Sequence, residues 1–128
     1  MDVKDFLTSA QELIQGNREV DYRNAASRAY YYTFHICRTL LAKLPHSQSS
    51  IGASHEKVVL DLLSYPDKKL NTLGRKLEQA KTLRHQADYK LLMRFSRANA
   101  KLVLRHAHDI SLGIDDFWQS RKNHNTDN

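Results

Sequence analysis

The sequence predicts an all-α protein, an up-and-down bundle of four main helices plus one short helix. Three observations carry that expectation. Apolar residues recur every three or four positions in each long segment. Helix-starting and helix-stopping residues fall between those segments. No segment alternates apolar and polar residues in the two-residue period of a half-buried strand. At 128 residues the chain is sized for one domain whose core needs no covalent staples. Its single cysteine, Cys37, has no internal disulfide partner and sits among apolar residues, which assigns it to the core of a protein from a reducing cytoplasm.

Val3, Phe6, Leu7, Ala10, Leu13 and Ile14 recur at helical spacing, and Gly16-Asn17 follow as a stop, so the chain opens with an amphipathic helix of about four turns. Asp21 is expected to cap a longer second helix that runs to Leu44, where Pro45 ends it. Ala25, Ala29, Ile36, Leu40 and Leu44 form its core stripe, and the small alanines let a neighbouring helix approach closely. His46 to Ala53, rich in serine, reads as a surface loop. Ser54 caps a short helix over His55 to Ser64 that buries Val58, Val59, Leu62 and Leu63. Tyr65-Pro66-Asp67 breaks the chain and caps the next helix, whose stripe is Leu70, Leu73, Leu77, Ala80 and Leu83, with Gly74 marking close packing. A last long helix is expected from Leu91 to about Ser120, with Phe95, Ala98, Leu102, Ala107 or His106, and Ile110 in the core. Gly113 permits a bend there, and Phe117 and Trp118 pin the end. The organisation is one helical domain over 1–120 and a polar tail over 121–128 that is expected to fray.

A formal net charge of +6, with seven histidines in addition, favours polyanionic partners, RNA or DNA before acidic small molecules. Arg94, Arg97, Lys101 and Arg105 can line one ridge of the last helix. The first residues are acidic and amphipathic, so no secretory leader is expected, and no apolar run is long enough to span a membrane. Usable chemistry is densest at Leu83 to Tyr89. On a continuous helix Arg84 and Asp88 stand four residues apart and can pair, while Tyr89 is turned away from Arg84. Arg28 and His35, seven residues apart on the second helix, point the same way beside Tyr31 and Arg38, as the edge of a buried face or as a pocket. His55 and Glu56 occupy a first helical turn, where glutamate suits the helix dipole.

Several chemistries are discounted. His106 and His108 diverge on a helix, and neither HExxH nor paired-cysteine spacing occurs, so no metal site is expected. The four glycines form no phosphate-cradling loop, and no cofactor is expected. Cys37 and His35, two residues apart, cannot face each other as nucleophile and base. Arg, His, Asp and Tyr remain, the groups that handle phosphodiesters without a metal.

Three segments together resemble the HEPN superfamily of small helical domains, in its stand-alone prokaryotic branch. They are Ser27-Arg28-Ala29-Tyr30-Tyr31 with Phe34-His35, then Ser54-His55-Glu56-Lys57-Val58, then Leu83-Arg84 followed by Ala87-Asp88-Tyr89. Their order and separation extend the resemblance over nearly the whole chain. It implies the helical bundle, a homodimer with its groove between protomers, and a family whose catalytic members are metal-independent endoribonucleases, often toxins of toxin–antitoxin or antiphage systems. The family's motif is an arginine followed, after four to six residues, by a histidine. Arg84 and His85 match its start, and Tyr89 stands where the histidine is expected. A phenol of ordinary pKa about 10 binds phosphate better than it acts as a base.

The resemblance therefore implies two functional readings. In one, Arg84, His85, Tyr89 and His35 serve RNA cleavage, Arg84 stabilising the phosphorane-like transition state and His85 or His35 carrying the proton. In the other, a non-catalytic module binds nucleotide, RNA or a partner protein through Arg28, Tyr31, Arg84 and Asp88. Family members also pair with an antitoxin or with a small nucleotidyltransferase that modifies a tyrosine near the motif, for which Tyr89 is the matching position. A third reading, a purely structural subunit, leaves the Arg84–Asp88 pair a stabilising role only. None of the three calls for a membrane, and a cytoplasmic location is expected.

Overall fold

The computed structural model describes residues 1–45 and 52–126, with side chains described as far as residue 122. Among these residues there are five helices and no strand: α1 (Lys4–Leu13), α2 (Glu19–Ala42), α3 (His55–Ser64), α4 (Lys68–Tyr89) and α5 (Arg97–Thr126). The all-α expectation holds. Most of the expected serine-rich loop, residues 46–51, lies outside the described residues. Helix α2 packs against the other four, α3 lies on α4, and α5 closes against α2 and α4. Ala25, Ala26 and Ala29 are fully buried, which lets α2 sit at the centre of the bundle. Tyr30, Phe34, Cys37, Leu40 and Leu41 complete its buried face, while Ile36, expected in the stripe, is half-buried. Among the described residues no helix is long and apolar enough to cross a membrane.

Two expected caps are present. Ser54 Oγ accepts the Lys57 N–H at 3.2 Å, and the Asp67 carboxylate accepts the N–H groups of Lys69 and Leu70 at 2.8 and 3.2 Å. The third differs. Asp21 lies inside α2, three residues after the N-cap Arg18, and its carboxylate reaches back to the Arg18 N–H at 3.2 Å and to the guanidinium at 2.9 and 3.2 Å. An acid in the third helical position satisfies an orphan donor and the helix dipole together, so α2 begins earlier than expected. Gly16 makes room for it, since a side chain there would collide with the Asp21 carboxylate.

The junction between α4 and α5 is the main correction. The last helix, expected from Leu91, begins at Arg97, where Ser96 Oγ accepts the Asn99 N–H at 3.1 Å. Residues 91–96 are an irregular turn held from beneath by Arg23, which is only 8% exposed. Arg23 Nη1 donates to the carbonyls of Gln86 (3.1 Å) and Ala87 (2.9 Å), and Nη2 to those of Lys90 (3.2 Å) and Met93. Glu19 lies 3.4 Å from Nη2 and also accepts the Phe95 N–H, while the Phe95 ring lies under the guanidinium, 5.7 Å from its carbon. The guanidinium thus takes up carbonyls that a continuing helix would have used, and α4 ends.

The later start also corrects the core of α5. Ala100, Val103, Ala107, Ile110 and Phe117 are buried with His106, whereas Ala98 is exposed and Leu102 is 43% exposed on the opposite side. The helical backbone continues to Thr126, beyond the Ser120 end that was expected and through most of the expected tail. Gly113 does not interrupt it; a Cβ there would meet Leu73 Cδ2 at 2.6 Å, so this glycine serves close contact with α4.

Candidate functional site

Chemistry gathers where α2, α3 and α4 meet. Tyr30 and Phe34 are four residues apart and share the inward face of α2. His55, at the first turn of α3, lays its ring flat on Phe34, with centroids 3.9 Å apart and planes 3° apart. Its Nδ1 is 2.6 Å from the Tyr30 hydroxyl. From α4, Arg84 brings its guanidinium carbon to 5.0 Å from the Tyr30 ring centre and 5.7 Å from that of Tyr31. One carboxylate faces the cation: Arg84 Nη1 and Asp88 Oδ2 are 3.6 Å apart, and Asp88 Oδ2 also accepts the Ser27 hydroxyl at 3.3 Å. Arg84 Nε is buried and has no hydrogen-bond partner among the described residues.

Electrostatics follow from this crowding. Burial pushes the Tyr30 phenol well above its ordinary pKa, and Arg84 opposes that only in part. Burial first, then the positive charges of Arg84, Lys81 and Arg38, push the His55 imidazole down. Both partners of the short hydrogen bond are therefore neutral at neutral pH. The Arg84 guanidinium is shared between one carboxylate and two aromatic faces.

Outside Arg84 lies a groove of about 590 Å³ lined by Glu56, Glu78, Lys81, Thr82, Arg84, His85, Gln86 and Lys90. Lys81 Nζ is 3.9 Å from the Glu56 carboxylate, and the lining carries three cations, Lys81, Arg84 and Lys90, against two acids, Glu56 and Glu78. His85 and Tyr89, four residues apart, form an exposed pair with ring centres 5.0 Å apart. The expected Arg84–Asp88 pair is present, and Tyr89 points away from Arg84 as helical geometry requires.

The other candidates lie elsewhere. His35 stacks on Phe6 of α1 at 5.6 Å, and Arg38 Nη2 is 3.1 Å from its Nδ1; burial and that cation push its pKa down. Arg28 is exposed on the α1 side, where it borders a depression with Asp5, Phe6 and Ser9, while His35 borders a neighbouring one with Val3, Phe6 and Thr39. Arg28 and His35 share a direction but sit about 10 Å apart along the axis, and they do not line one pocket. Tyr31 is the member of that strip that reaches Arg84.

Sequence reasoning passed over Tyr30, Ser27 and Lys81, and gave His55 no chemical role. The available signal was a histidine directly after the capping Ser54, which the cap aims at the inner aromatic pair of α2. Among the described residues no three His, Cys, Asp or Glu side chains gather into a group able to hold a metal ion. Compared with protein-family models, with curated proteins and with solved structures, the chain finds no match.

Proposed function

We propose that this chain is a HEPN-like, RNA-directed protein that binds the phosphodiester backbone at Arg84 and cleaves it without a metal, as a toxin or antiphage endoribonuclease does. One observation carries the reading. The three segments that resemble the family converge on one junction, with Ser27, Tyr30 and Tyr31 from the first, His55 from the second, and Arg84 and Asp88 from the third. Aromatic faces orient the guanidinium, whose pair with Asp88 is long at 3.6 Å, so its outer edge can turn from that carboxylate to a non-bridging phosphate oxygen. Its orientation is settled before ligand arrives, which lowers the entropic cost of reaching the transition state.

In the reaction the ribose 2′-oxygen attacks phosphorus, forming the 2′-O–P bond while the bond to the 5′-oxygen breaks. His85, in the same groove, takes the 2′-hydroxyl proton, and the departing 5′-oxygen is protonated from the imidazolium or from water. Arg84 balances the charge that grows on the phosphorane oxygens. The working unit on this reading is a homodimer, restrained in the cell by an antitoxin or a nucleotidyltransferase.

The second reading, a non-catalytic module binding nucleotide, RNA or a partner protein, is favoured by Tyr89, which packs on His85 where the family's motif has a histidine. Incubating purified protein with total RNA and tRNA in EDTA, with Arg84→Ala in parallel, separates the two. Cleavage by the wild type and none by an equally helical Arg84→Ala protein is the expected result. Uncut RNA at high protein concentration, with binding that still depends on Arg84, would replace the nuclease by the module.

A further inference from the structure

The turn after α4 exposes what a soluble surface ordinarily hides. Tyr89 is 64% exposed, Leu91 71%, Leu92 fully and Met93 51%. Single exposed apolar residues need no explanation, but four within five positions, one ending α4 and three on the turn after it, do. The turn is also tightly built: a buried arginine commits four hydrogen bonds to the carbonyls of Gln86, Ala87, Lys90 and Met93, and Phe95 anchors the far end in the core. The apolar tip is thus presented in a set geometry. Lys90 and Arg94 bracket it, both exposed, and Lys90 also lines the Arg84 groove, so the tip continues that groove.

We propose that the turn over residues 89–94 is a base-stacking platform for single-stranded RNA, Tyr89 with Leu91, Leu92 and Met93 receiving unpaired bases while Lys90 and Arg94 receive the flanking phosphates. The inference shares the RNA reading of the groove and adds to it a second contact region that selects unpaired strands. Charge complementarity identifies the occupant. Cations on both edges of an apolar surface match a polymer whose flat apolar bases are flanked by phosphates. Docking this turn on the same turn of a second copy would instead set Lys90 and Arg94 against their own like charges. A duplex hides the base faces that Tyr89 would stack on.

The test uses fluorescence anisotropy with a short, unpaired oligoribonucleotide, 2′-O-methylated so that it cannot be cut. Tyr89→Ala should weaken binding about tenfold with no change in its salt dependence, because a neutral stacking contact is lost. Lys90→Gln with Arg94→Gln should lower the slope of log affinity against log salt by about 1.4, two phosphate contacts on a single strand. Lys101→Gln with Arg105→Gln, the same charge change on exposed positions of α5, should leave most of the slope in place. The altered positions are exposed, and circular dichroism verifies that each variant folds.

Unchanged affinity in Tyr89→Ala, an equal loss from the α5 pair, or duplex RNA binding as tightly as single strands would overturn the platform. Displacement of the RNA by polyglutamate at matched charge would reassign the turn to an acidic protein and overturn it too. Arg84→Ala keeps the two readings separable. If only Arg84→Ala weakens binding the groove stands and the platform falls, and if only the turn variants do the reverse holds. No RNA binding by the wild type removes both.

Discussion

Arg23→Ala tests the account of the α4–α5 junction. In the native protein the guanidinium is almost fully buried and donates to four carbonyls, with Glu19 beside it. Removing it does not strand all four. Lys90 and Met93 are exposed and their carbonyls can bind water, and the Gln86 carbonyl still accepts the Lys90 N–H at 3.0 Å. The Ala87 carbonyl is buried and loses its charged donor, at a cost of about 1–3 kcal/mol. Lost contact with the Phe95 ring adds about 0.5–1 kcal/mol. The expected destabilisation is therefore about 1.5–4 kcal/mol, a large share of the roughly 5–15 kcal/mol that holds a domain folded. For a chain of this length it corresponds to a fall in Tm of about 10 °C. Urea unfolding followed by circular dichroism measures it, and amide exchange at Lys90, Met93 and Phe95 should quicken before that of the helix interiors. Arg23→Lys should recover less than half, because an ammonium cannot reproduce the planar fork that spans both ends of the turn. A loss below about 1 kcal/mol in Arg23→Ala would refute the clamp, since even one stranded buried carbonyl costs that much.

Three further outcomes follow. Burial, before any other cause, pushes the imidazoles of His35, His55 and His106 below their ordinary pKa, so the unfolded chain takes up protons that the fold resists. Their contribution is full above about pH 6.5 and is lost as pH falls toward the lower folded values; a second loss is expected below about pH 4, where Glu19, held low by the Phe95 N–H, and Asp21, held low by Arg18, protonate. His106 Nδ1 is buried without a partner among the described residues, so His106→Leu should hold or gain about 1 kcal/mol at neutral pH and lessen the fall of the urea midpoint between pH 7 and 5; a clear loss of stability would refute the assignment. Cys37 is fully buried and its thiol is pushed up to about 12, so native protein at pH 8 should resist iodoacetamide until denaturant is added, and rapid native labelling would contradict its burial.

What the sequence determined by itself is local. The helical class, the caps at Ser54 and Asp67, the burial of Cys37 and the Arg84–Asp88 pair could all be read from spacing, because residues within a few positions on one helix have fixed neighbours. Asp21 was recognised as a capping acid but set at the wrong position, since an acid can cap from the N-cap itself or from the third residue. The start of α5 and its buried face were misread for a related reason. Residues 91–96 carry an apolar pattern compatible with a helix, and what unwinds them is Arg23, more than sixty positions earlier. The same holds at the site: Tyr30 and His55 lie 25 positions apart, and no periodicity relates them. Only tertiary structure decided which helix faces meet, because a helix's rotation about its axis is set by the packing of all its neighbours together. That rotation brings Tyr30, His55 and Arg84 to one junction and leaves Tyr89 and Leu92 facing water.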